Sequence, residues 1–342
     1  MAENIAPRQI LRDLLQGNTP SRPLFVPIVF ALGARVENLS ARTFLGNATK
    51  ISNALRQIRG PLRSDGVSCY FDPLLEAEAL GGTLEWAPEH EAATVRWPAA
   101  SERGQLPAGL ASPEDAVKRG RIPVALEVIR RLKALLREDS LLMAGVSGPF
   151  TLAARLTGLL GPGPLTREDL LDCALEVANS TILQISKAFA EAGANLIILR
   201  EETLPILREQ STEEWTSMLA PIFNVIRFYE ALPVLQIAND PAFAGNSEVL
   251  LRMARDCVVC PALDAVRSLS AEKRGDIKGA KLGVGLPAAT FQQEQHSDAS
   301  FDQSLGQVIR ALRPALVTTA EDVPPTTDLK RLAAISEVVR QS

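Results

Sequence analysis

The stretch Gly66–Gly82, GVSCYFDPLLEAEALGG, changes its hydrophobic pattern at a single point, Asp72-Pro73. Before that point, a run of β-branched, apolar and aromatic residues is typical of a buried strand. Pro73 has no amide hydrogen to donate to a sheet and restricts the residue before it, so we expect the strand to end at Asp72. After it, leucines and alanines recur at helical spacing until Gly81-Gly82. The stretch therefore predicts a strand-to-helix unit with a carboxylate at the carboxyl end of the strand.

The same alternation of apolar strands and helices recurs along the 342 residues of the chain. The predicted strands begin at Leu24, Gly66, Leu141, Asn195, Leu232, Val258, Lys281 and Ala315. They favour an α/β fold, a single (β/α)8 TIM barrel over residues 1–342 with parallel strands buried on both faces. An amino-terminal helical extension precedes the barrel, and a hairpin-like excursion follows the second strand. An open doubly wound sheet is the alternative, but no glycine-rich phosphate-binding fingerprint follows the first strand.

Composition excludes several classes of protein. Hydrophobic residues make up 46% and charged residues 22% of the chain, as in an ordinary globular protein. The formal net charge of −4 gives no general attraction to nucleic acids or anionic membranes. No apolar run is long enough to span a membrane, and the amino terminus lacks the apolar core of a signal peptide. Because the cysteines lie in or beside apolar segments, we expect reduced thiols and a cytoplasmic protein.

The carboxyl ends of the predicted strands carry mostly polar residues, and in barrels of this kind that end holds the active site. The candidate catalytic residues are Asp72, Glu201 and Glu321, and the candidate substrate-binding residues are Phe30, Tyr70, Phe150, Arg155, Glu202, Gln236, Asn239, Asp240 and Asp264. This rim is acidic, and convergent carboxylates indicate a metal, a cationic ligand or proton transfer at a raised pKa. The competing interpretation is helix capping, which we favour for Asp240 and Asp264 but not for Asp72.

Several segments resemble the uroporphyrinogen decarboxylase superfamily. They are FDPLLEAEALGG (71–82), GPFTLAARLTG (148–158), FAEAGANLIIL (189–199) and EDVPPTTDLKRLAAISEVVRQ (321–341). The resemblance covers most of the chain in the right order and implies a (β/α)8 barrel. It also implies either decarboxylation, as in haem biosynthesis, or methyl transfer between corrinoid proteins and thiols or other acceptors. Around EAEALGG the chain is nearer the corrinoid/thiol methyltransferase-like branch.

One departure from the family's pattern concerns the decarboxylases. These have an arginine-rich segment of the form RQAGRY after the first strand, whereas this chain reads VFALGARVENLS and retains Arg35 alone. The family's aspartate matches Asp72, and its tyrosine after the Gly-Pro-aromatic turn is replaced by Arg155. Unpaired anions of an octacarboxylate would crowd against an acidic rim at a cost of several kcal/mol. We therefore do not expect uroporphyrinogen to be the substrate.

A second departure concerns the zinc site of the methyltransferase branch. The resemblance places its ligands, a His-x-Cys pair and a late cysteine, at positions that here read Gln236, Ala238 and Glu321. The chain has only two histidines, both in predicted loop segments, so neither a Cys/His zinc site nor a histidine triad is expected. If a metal binds at all, Gln236 and Glu321 are its candidate oxygen ligands.

The sequence thus predicts an enzyme that transfers a methyl or other one-carbon group to a small-molecule substrate. No resident cofactor is assigned, and a corrinoid or a folate is the implied co-substrate. A corrinoid protein is the implied partner, a homodimer is left open, and neither nucleic acid nor membrane is expected. The first alternative is a carboxy-lyase, a decarboxylase of a tetrapyrrole or smaller acid in which Asp72 stabilises a protonated intermediate. The second is a catalytically inactive barrel that acts as a binding subunit.

Overall fold

The strands follow the order predicted from the sequence. The computed structural model describes residues 5–89, 91–97, 104–161, 172–205, 212–238, 250, 253–254, 256–268, 281–291 and 299–342. The strands are β1 (Leu24–Phe25), β2 (Gly66–Tyr70), β3 (Thr83–Trp86), β4 (Ala93–Arg96), β5 (Leu141–Ser147), β6 (Leu196–Glu201), β7 (Leu232–Ile237), β8 (Val258–Pro261), β9 (Gly283–Leu286) and β10 (Leu316–Thr319).

All strands except β3 and β4 pair in parallel, in a five-stranded sheet β2-β5-β6-β7-β8 and a three-stranded sheet β1-β10-β9. A parallel bridge between Val259 and Leu282 joins the two sheets at β8 and β9. At the other junction the amide of Asp65 donates to the carbonyl of Phe25 at 2.9 Å, which joins the edges of β1 and β2. The strands therefore close into the (β/α)8 barrel that the sequence predicts.

The first two strands are shorter than predicted. The apolar run from Leu24 to Leu32 forms a strand only over Leu24–Phe25. Pro27 has no amide to donate to the neighbouring strand, and the amide of Ile28 donates instead to the side chain of Thr319 at 3.1 Å. Likewise β2 ends at Tyr70, two residues before the predicted end at Asp72. Asp72 therefore lies in the turn after the strand.

The helices surround the barrel. They are α1 (Pro7–Leu15), α2 (Leu32–Val36), α3 (Ala41–Leu45), α4 (Ala48–Leu62), α5 (Leu75–Ala79), α6 (Pro113–Ala116), α7 (Ile122–Leu136), α8 (Pro149–Leu156), α9 (Asp172–Ala192), α10 (Thr212–Phe228), α11 (Leu263–Ser268), α12 (Ala299–Leu312) and α13 (Leu329–Arg340), with a 3-10 turn at Ala288–Phe291. The predicted amino-terminal extension is α1, whose Ile10 and Leu14 pack with Leu141 and Leu196 near the amino ends of their strands.

The predicted excursion forms an antiparallel hairpin of β3 and β4, in which Trp86 lies opposite Ala93. Exposure alternates along both strands: Thr83 and Thr94 are exposed, whereas Trp86 and Ala93 are half-buried. This period of two gives the hairpin one face towards the rest of the protein and one towards solvent.

Cys257 directly precedes β8, and Cys260 lies within it. Both thiols are fully buried and are not in disulfides, and burial raises the pKa of each. Among the described residues, no helix is both long enough and apolar enough to cross a membrane.

Candidate active site

A cavity of about 740 Å³ opens beside the carboxyl end of β2, between α2, α3 and the β3–β4 hairpin. Its aromatic wall consists of Phe30, Phe44, Phe71 and Trp86. The charged side chains that line it are Arg35, Asp72, Glu91, Arg121 and Asp322. An apolar wall with a few charged groups in a volume of this size suits a small organic ligand.

Phe30 belongs to the cavity wall, and two further aromatic side chains support it. The ring centroid of Phe30 lies 5.0 Å from that of Tyr70 and 5.5 Å from that of Phe44. Tyr70 is fully buried and donates its hydroxyl to the carbonyl of Leu45 at 2.7 Å. Of the predicted binding residues, Phe30 therefore lines the cavity while Tyr70 lies behind it. Phe150 is also buried and packs against Trp215, with ring centroids 5.7 Å apart.

Asp72 has two roles in the structure that the sequence presented as alternatives. Its Oδ1 accepts a hydrogen bond from the amide of Leu74 at 2.9 Å, next to the start of α5. Its Oδ2 forms an ion pair with Nη1 of Arg121. The side chain is only 6% exposed and lines the cavity. Asp72 therefore orders the turn into α5 and also contributes a charge to the cavity wall.

Arg121 is the partner that the sequence did not reveal. It immediately precedes α7, and its Nε contacts Oε2 of Glu78 at 2.7 Å in addition to the pair with Asp72. Burial lowers the pKa of Arg121, but the charges of Asp72 and Glu78 outweigh it and hold that pKa above its usual value. Arg121 supplies the cation because α7 begins beside the β2–α5 turn, which no local sequence pattern indicates.

A much smaller cavity of about 10 Å³ lies at the carboxyl ends of β5 and β6, beside the turn after β2. It is lined by Phe71, Asp72, Pro73, Gly145, Val146, Ser147, Arg200 and Glu202. This is about the space that one water molecule needs. Phe71, Asp72 and Pro73 line both cavities, so the turn after β2 separates the large apolar space from the small polar one.

Arg155 and Glu202 form a network beside the small cavity. Nη2 of Arg155 lies 3.2 Å from Oε2 of Glu202, and Nη1 donates to Oγ of Ser147 at 3.2 Å. The fully buried Glu76 accepts hydrogen bonds from both the amide and the hydroxyl of Ser147, each at 2.9 Å. Burial raises the pKa of Glu76, and the bonds from Ser147 and the charge of Arg155 oppose that shift. Sequence analysis missed Glu76 because its only sign is one carboxylate within an apolar helical pattern.

Arg200, the penultimate residue of β6, extends across the mouth of the barrel. Its Nη1 donates to Oε1 of Gln236 at 3.2 Å and to the carbonyl of Ala320. Its Nε lies 3.6 Å from Oε1 of Glu202, and its Cζ lies 5.8 Å from the ring centroid of Phe71. Burial lowers the pKa of Arg200, while Glu202 and other nearby carboxylates oppose that shift. Gln236 is thereby held between two elements, because its Nε2 donates to the carbonyl of Thr319 at 2.7 Å.

Glu201 lies inside the protein and does not line either cavity. Its Oε1 accepts from the amide of Phe150 at 3.2 Å, and its Oε2 accepts from the amide and hydroxyl of Thr151 at 2.9 and 2.7 Å. It therefore caps the first turn of α8. A Cβ at Gly148 would come within 2.1 Å of the Glu201 carboxyl carbon, so this contact requires glycine there. Burial raises the pKa of Glu201 to about 8.

Of the neighbouring residues Glu321 and Asp322, the structure places Asp322 in the cavity wall. Glu321 is exposed, with its Oε1 3.4 Å from the amide of Ala288. Asp322 accepts hydrogen bonds from the amides of Phe30 and Ala31 at 2.8 and 2.7 Å, which ties the end of β10 to the chain after β1. Burial raises the pKa of Asp322 to about 7. Sequence analysis proposed Glu321 as a catalytic residue, and in the structure its neighbour Asp322 is the one that lines the cavity.

The rim differs from the expected field of convergent carboxylates. Asp72 and Glu202 are each paired with arginine, and Asp322 is bonded to backbone amides. Asp264 lies outside the cavity, with a side chain that is 63% exposed and 3.7 Å from Arg267. The candidates Asn239 and Asp240 lie outside the described residues. The arginines that pair with Asp72 and Glu202 come from distant parts of the chain, so these two carboxylates do not face the cavities as unpaired charges.

The residues at the implied zinc positions do not fit that metal. Both side-chain polar atoms of Gln236 are engaged, by Arg200 and by the carbonyl of Thr319. Ala238 offers no side-chain donor, and the exposed Glu321 lies against Ala288. In the parts of the chain that the structure describes, no three His, Cys, Asp or Glu side chains are grouped to hold a metal ion.

Comparisons with known proteins agree with this fold. The family model described as uroporphyrinogen decarboxylase (URO-D) matches residues 7–342. Methylcobamide:CoM methyltransferase MtaA from Methanosarcina barkeri is 30% identical over 95 residues, which span 27% of this chain and 28% of that protein. A methyltransferase from Methanosarcina mazei superposes with a TM-score of 0.78 at 18% identity, covering 99% of both chains. A B12-independent methionine synthase from Shewanella sp. W3-18-1 superposes with a TM-score of 0.54 at 14% identity, covering 89% of this chain and 90% of that one.

Proposed function

This chain belongs to the uroporphyrinogen decarboxylase family, and we propose that within it the protein transfers a methyl or other one-carbon group to a small substrate bound in the 740 Å³ cavity. The partial match to a methylcobamide:CoM methyltransferase supports this reaction class. A corrinoid, delivered by a partner protein, or a folate would be the donor. The protein would act in a compartment where its buried thiols stay reduced, for which we propose the cytoplasm.

The observation that carries the proposal is the balance of charge in the cavity wall. The aromatic side chains form its apolar part, and the charged side chains that line it, two arginines and three carboxylates, nearly balance. Arg35 lines the same cavity, and no ion pair to it occurs among the described residues. Such a site suits a small, largely apolar acceptor with few charged groups. It does not suit a tetrapyrrole whose many carboxylates would each need a cation.

The reaction balances with groups that the cavity supplies. When a thiol is the acceptor, its sulfur forms a bond to the methyl carbon, and the bond between that carbon and the donor breaks with its electron pair left on the donor. The thiol proton must go to a base. Asp322 lines the cavity, and its pKa is about 7. Because this value is near neutral pH, the carboxylate can accept the proton and later release it. Asp72 and Arg121 would orient the acceptor, and the aromatic wall would limit water.

The proposal is tested by following a labelled methyl group. We expect the purified protein to move a deuterated methyl group from methylcobalamin or 5-methyltetrahydrofolate to a small thiol such as coenzyme M or homocysteine, as detected by mass spectrometry. The control is the same mixture with heat-inactivated protein. Failure to label any acceptor from either donor would contradict methyl transfer.

The same preparation separates methyl transfer from the decarboxylase alternative. We expect no release of carbon dioxide from uroporphyrinogen, because Arg35 stands alone where the decarboxylases have an arginine-rich segment. Sustained release above that of the inactivated control would contradict the proposal and favour a carboxy-lyase. If the protein neither transfers a methyl group nor releases carbon dioxide, it would instead fit the inactive binding subunit.

A further inference from the structure

Another cavity, of about 910 Å³, opens at the amino-terminal end of the barrel, opposite the candidate active site. Leu142 near the start of β5, Asn195 just before β6 and Glu230 shortly before β7 line it. Leu11 and Leu15 of α1 close one side. A space of this volume admits a small organic molecule. Because barrels of this kind carry out their chemistry at the carboxyl ends of the strands, a ligand here would be separate from the substrate of the proposed reaction.

Positive charge is concentrated in the wall of this cavity. The carboxylates that line it are Glu138 and Glu230, and the cationic side chains that line it are Arg8, Arg12, Lys133, Arg137 and Arg227. The whole chain has a formal net charge of −4, so this excess of cations is a local feature. Cations gathered in a cleft raise its positive potential and concentrate anions there.

Three of these cations are available to a ligand. Nε of Arg8 lies 2.5 Å from Oε2 of Glu138, and Nη2 of Arg227 lies 3.5 Å from Oδ1 of Asp256. Within the described ranges, no ion pair or side-chain hydrogen bond engages the three others, which are Arg12, Lys133 and Arg137. The planar fork of an arginine binds phosphate through two parallel hydrogen bonds, and a lysine adds a point charge.

The ends of the helices account for where these cations lie and leave their charge at the cavity. Arg12 and Lys133 lie in the last turns of α1 and α7, where a cation offsets the negative end of the helix dipole. Lys133 also reaches beyond its own helix, since a Cβ at Gly193, just after α9, would lie 2.5 Å from its Cδ and 3.0 Å from its Nζ. The glycine therefore leaves the space through which the Lys133 side chain extends across the end of α9.

Two aromatic side chains stand together beside these cations. Tyr229 lines the cavity, and Phe228 meets it edge to face, with ring centroids 5.1 Å apart. The hydroxyl of Tyr229 donates to Oε1 of Glu191, which fixes the ring. Phe228 is 79% exposed, more than any other large hydrophobic side chain in the part of the chain that the structure describes. Aromatic surface at the edge of a cavity suits a ligand with a planar ring.

We propose that this cavity binds a nucleoside phosphate, with its phosphates on Arg12, Lys133 and Arg137 and its planar base against Tyr229. A nucleoside phosphate combines the two properties that the wall selects, several negative charges and a flat, weakly polar ring. The site lies outside the proposed function, and its occupation needs no methyl donor.

Calorimetric titration at constant ionic strength tests the site with three probes, namely ADP, pyrophosphate, which lacks the base, and adenosine, which lacks the charge. ADP is expected to bind most tightly. Arg137→Met should weaken ADP binding about tenfold or more, since charge-assisted hydrogen bonds are lost, and Lys133→Met should act in the same direction. Arg63→Met is the matched control, because Arg63 also caps the end of a helix with a positive φ but does not line the cavity. It should bind ADP like the wild type.

A further variant separates the base from the phosphates. Tyr229→Leu is expected to weaken ADP binding about threefold or more and to leave pyrophosphate binding unchanged, since it removes one aromatic contact and no charge. Melting temperatures establish that each variant is folded. ADP binding that neither Arg137→Met nor Lys133→Met weakens would overturn the proposal, as would a folded wild type that binds no ADP at millimolar concentration. Pyrophosphate binding as tight as that of ADP would overturn the assignment of a nucleoside.

Discussion

Replacing Asp72 with asparagine is expected to reduce acceptor binding or turnover by about 2–3 kcal/mol, the effect of removing one preorganised charge from a site. Asparagine keeps the shape, and its oxygen can still accept from the amide of Leu74. Its amide nitrogen, however, would face Nη1 of Arg121 in place of a carboxylate oxygen. The positive charge of Arg121 on the cavity side would then have no carboxylate opposite it. The measurement is kcat/KM for the labelled methyl acceptor, beside the melting temperature.

Stability is expected to fall as well, which a pure substrate contact would not cause. Breaking a buried ion pair costs about 3–5 kcal/mol when nothing replaces it, but Arg121 retains Glu78. We therefore expect the free energy of unfolding of Asp72→Asn to fall by about 1–3 kcal/mol. Glu78→Gln is the matched control, because it weakens the other ion pair of Arg121 and does not line the cavity. If both variants lose equal stability and neither loses activity, Asp72 is a structural residue only.

Replacing Glu201 with alanine is expected to have the largest effect on stability of any change at the barrel mouth, about 3–5 kcal/mol. The substitution removes the acceptor for the amides of Phe150 and Thr151 and for the Thr151 hydroxyl, all of them buried. It also leaves a void beside Gly148. Urea denaturation measures the loss. Glu321→Ala is the control, because that side chain is exposed and its removal should cost no more than about 0.5 kcal/mol.

The pH dependence of stability gives an independent check on Glu201. Its pKa is raised from 4.5 to about 8 by burial, so the folded state holds this proton more tightly than the unfolded state. Stability should therefore decline as the pH rises from about 4.5 to about 8, and this contribution should be level outside that range. Glu201→Gln does not titrate and should lose this part of the slope. If the slope of stability against pH is the same in Glu201→Gln as in the wild type, the raised pKa of Glu201 is contradicted.

The strand-to-helix order of the barrel could be read from the sequence because it depends on local periodicity. The starts of all eight strands lie within two residues of those predicted, as at Gly66, Leu141 and Leu232. The hairpin after the second strand was also predicted, from its prolines and weak alternation. The change of pattern at Pro73 placed Asp72 next to the carboxyl end of β2, although the strand itself ends two residues earlier, at Tyr70.

The electrostatics of the site could not be read in the same way, because they depend on contacts between residues far apart in the chain. Arg121 reaches Asp72 from the start of α7, and Arg200 reaches the carbonyl of Ala320 across the mouth of the barrel. Neighbouring carboxylates that the sequence predicts at the same end of the barrel also differ in their environment in the structure. Glu201, the last residue of β6, bonds to the amide of Thr151 in α8, whereas the next residue, Glu202, lines the small cavity.

The central claim, that the reaction takes place in the cavity under the hairpin, is tested most directly by filling that cavity from the hairpin side. Ala93 lines it opposite Trp86, whereas the next residue, Thr94, is exposed on the other face of β4. The measurement is the kcat/KM for labelled-methyl transfer by Ala93→Trp and by Thr94→Trp. We predict a loss of about tenfold or more for Ala93→Trp and wild-type activity for Thr94→Trp, since only the first indole would displace the substrate. Equal activity in both variants would contradict the account.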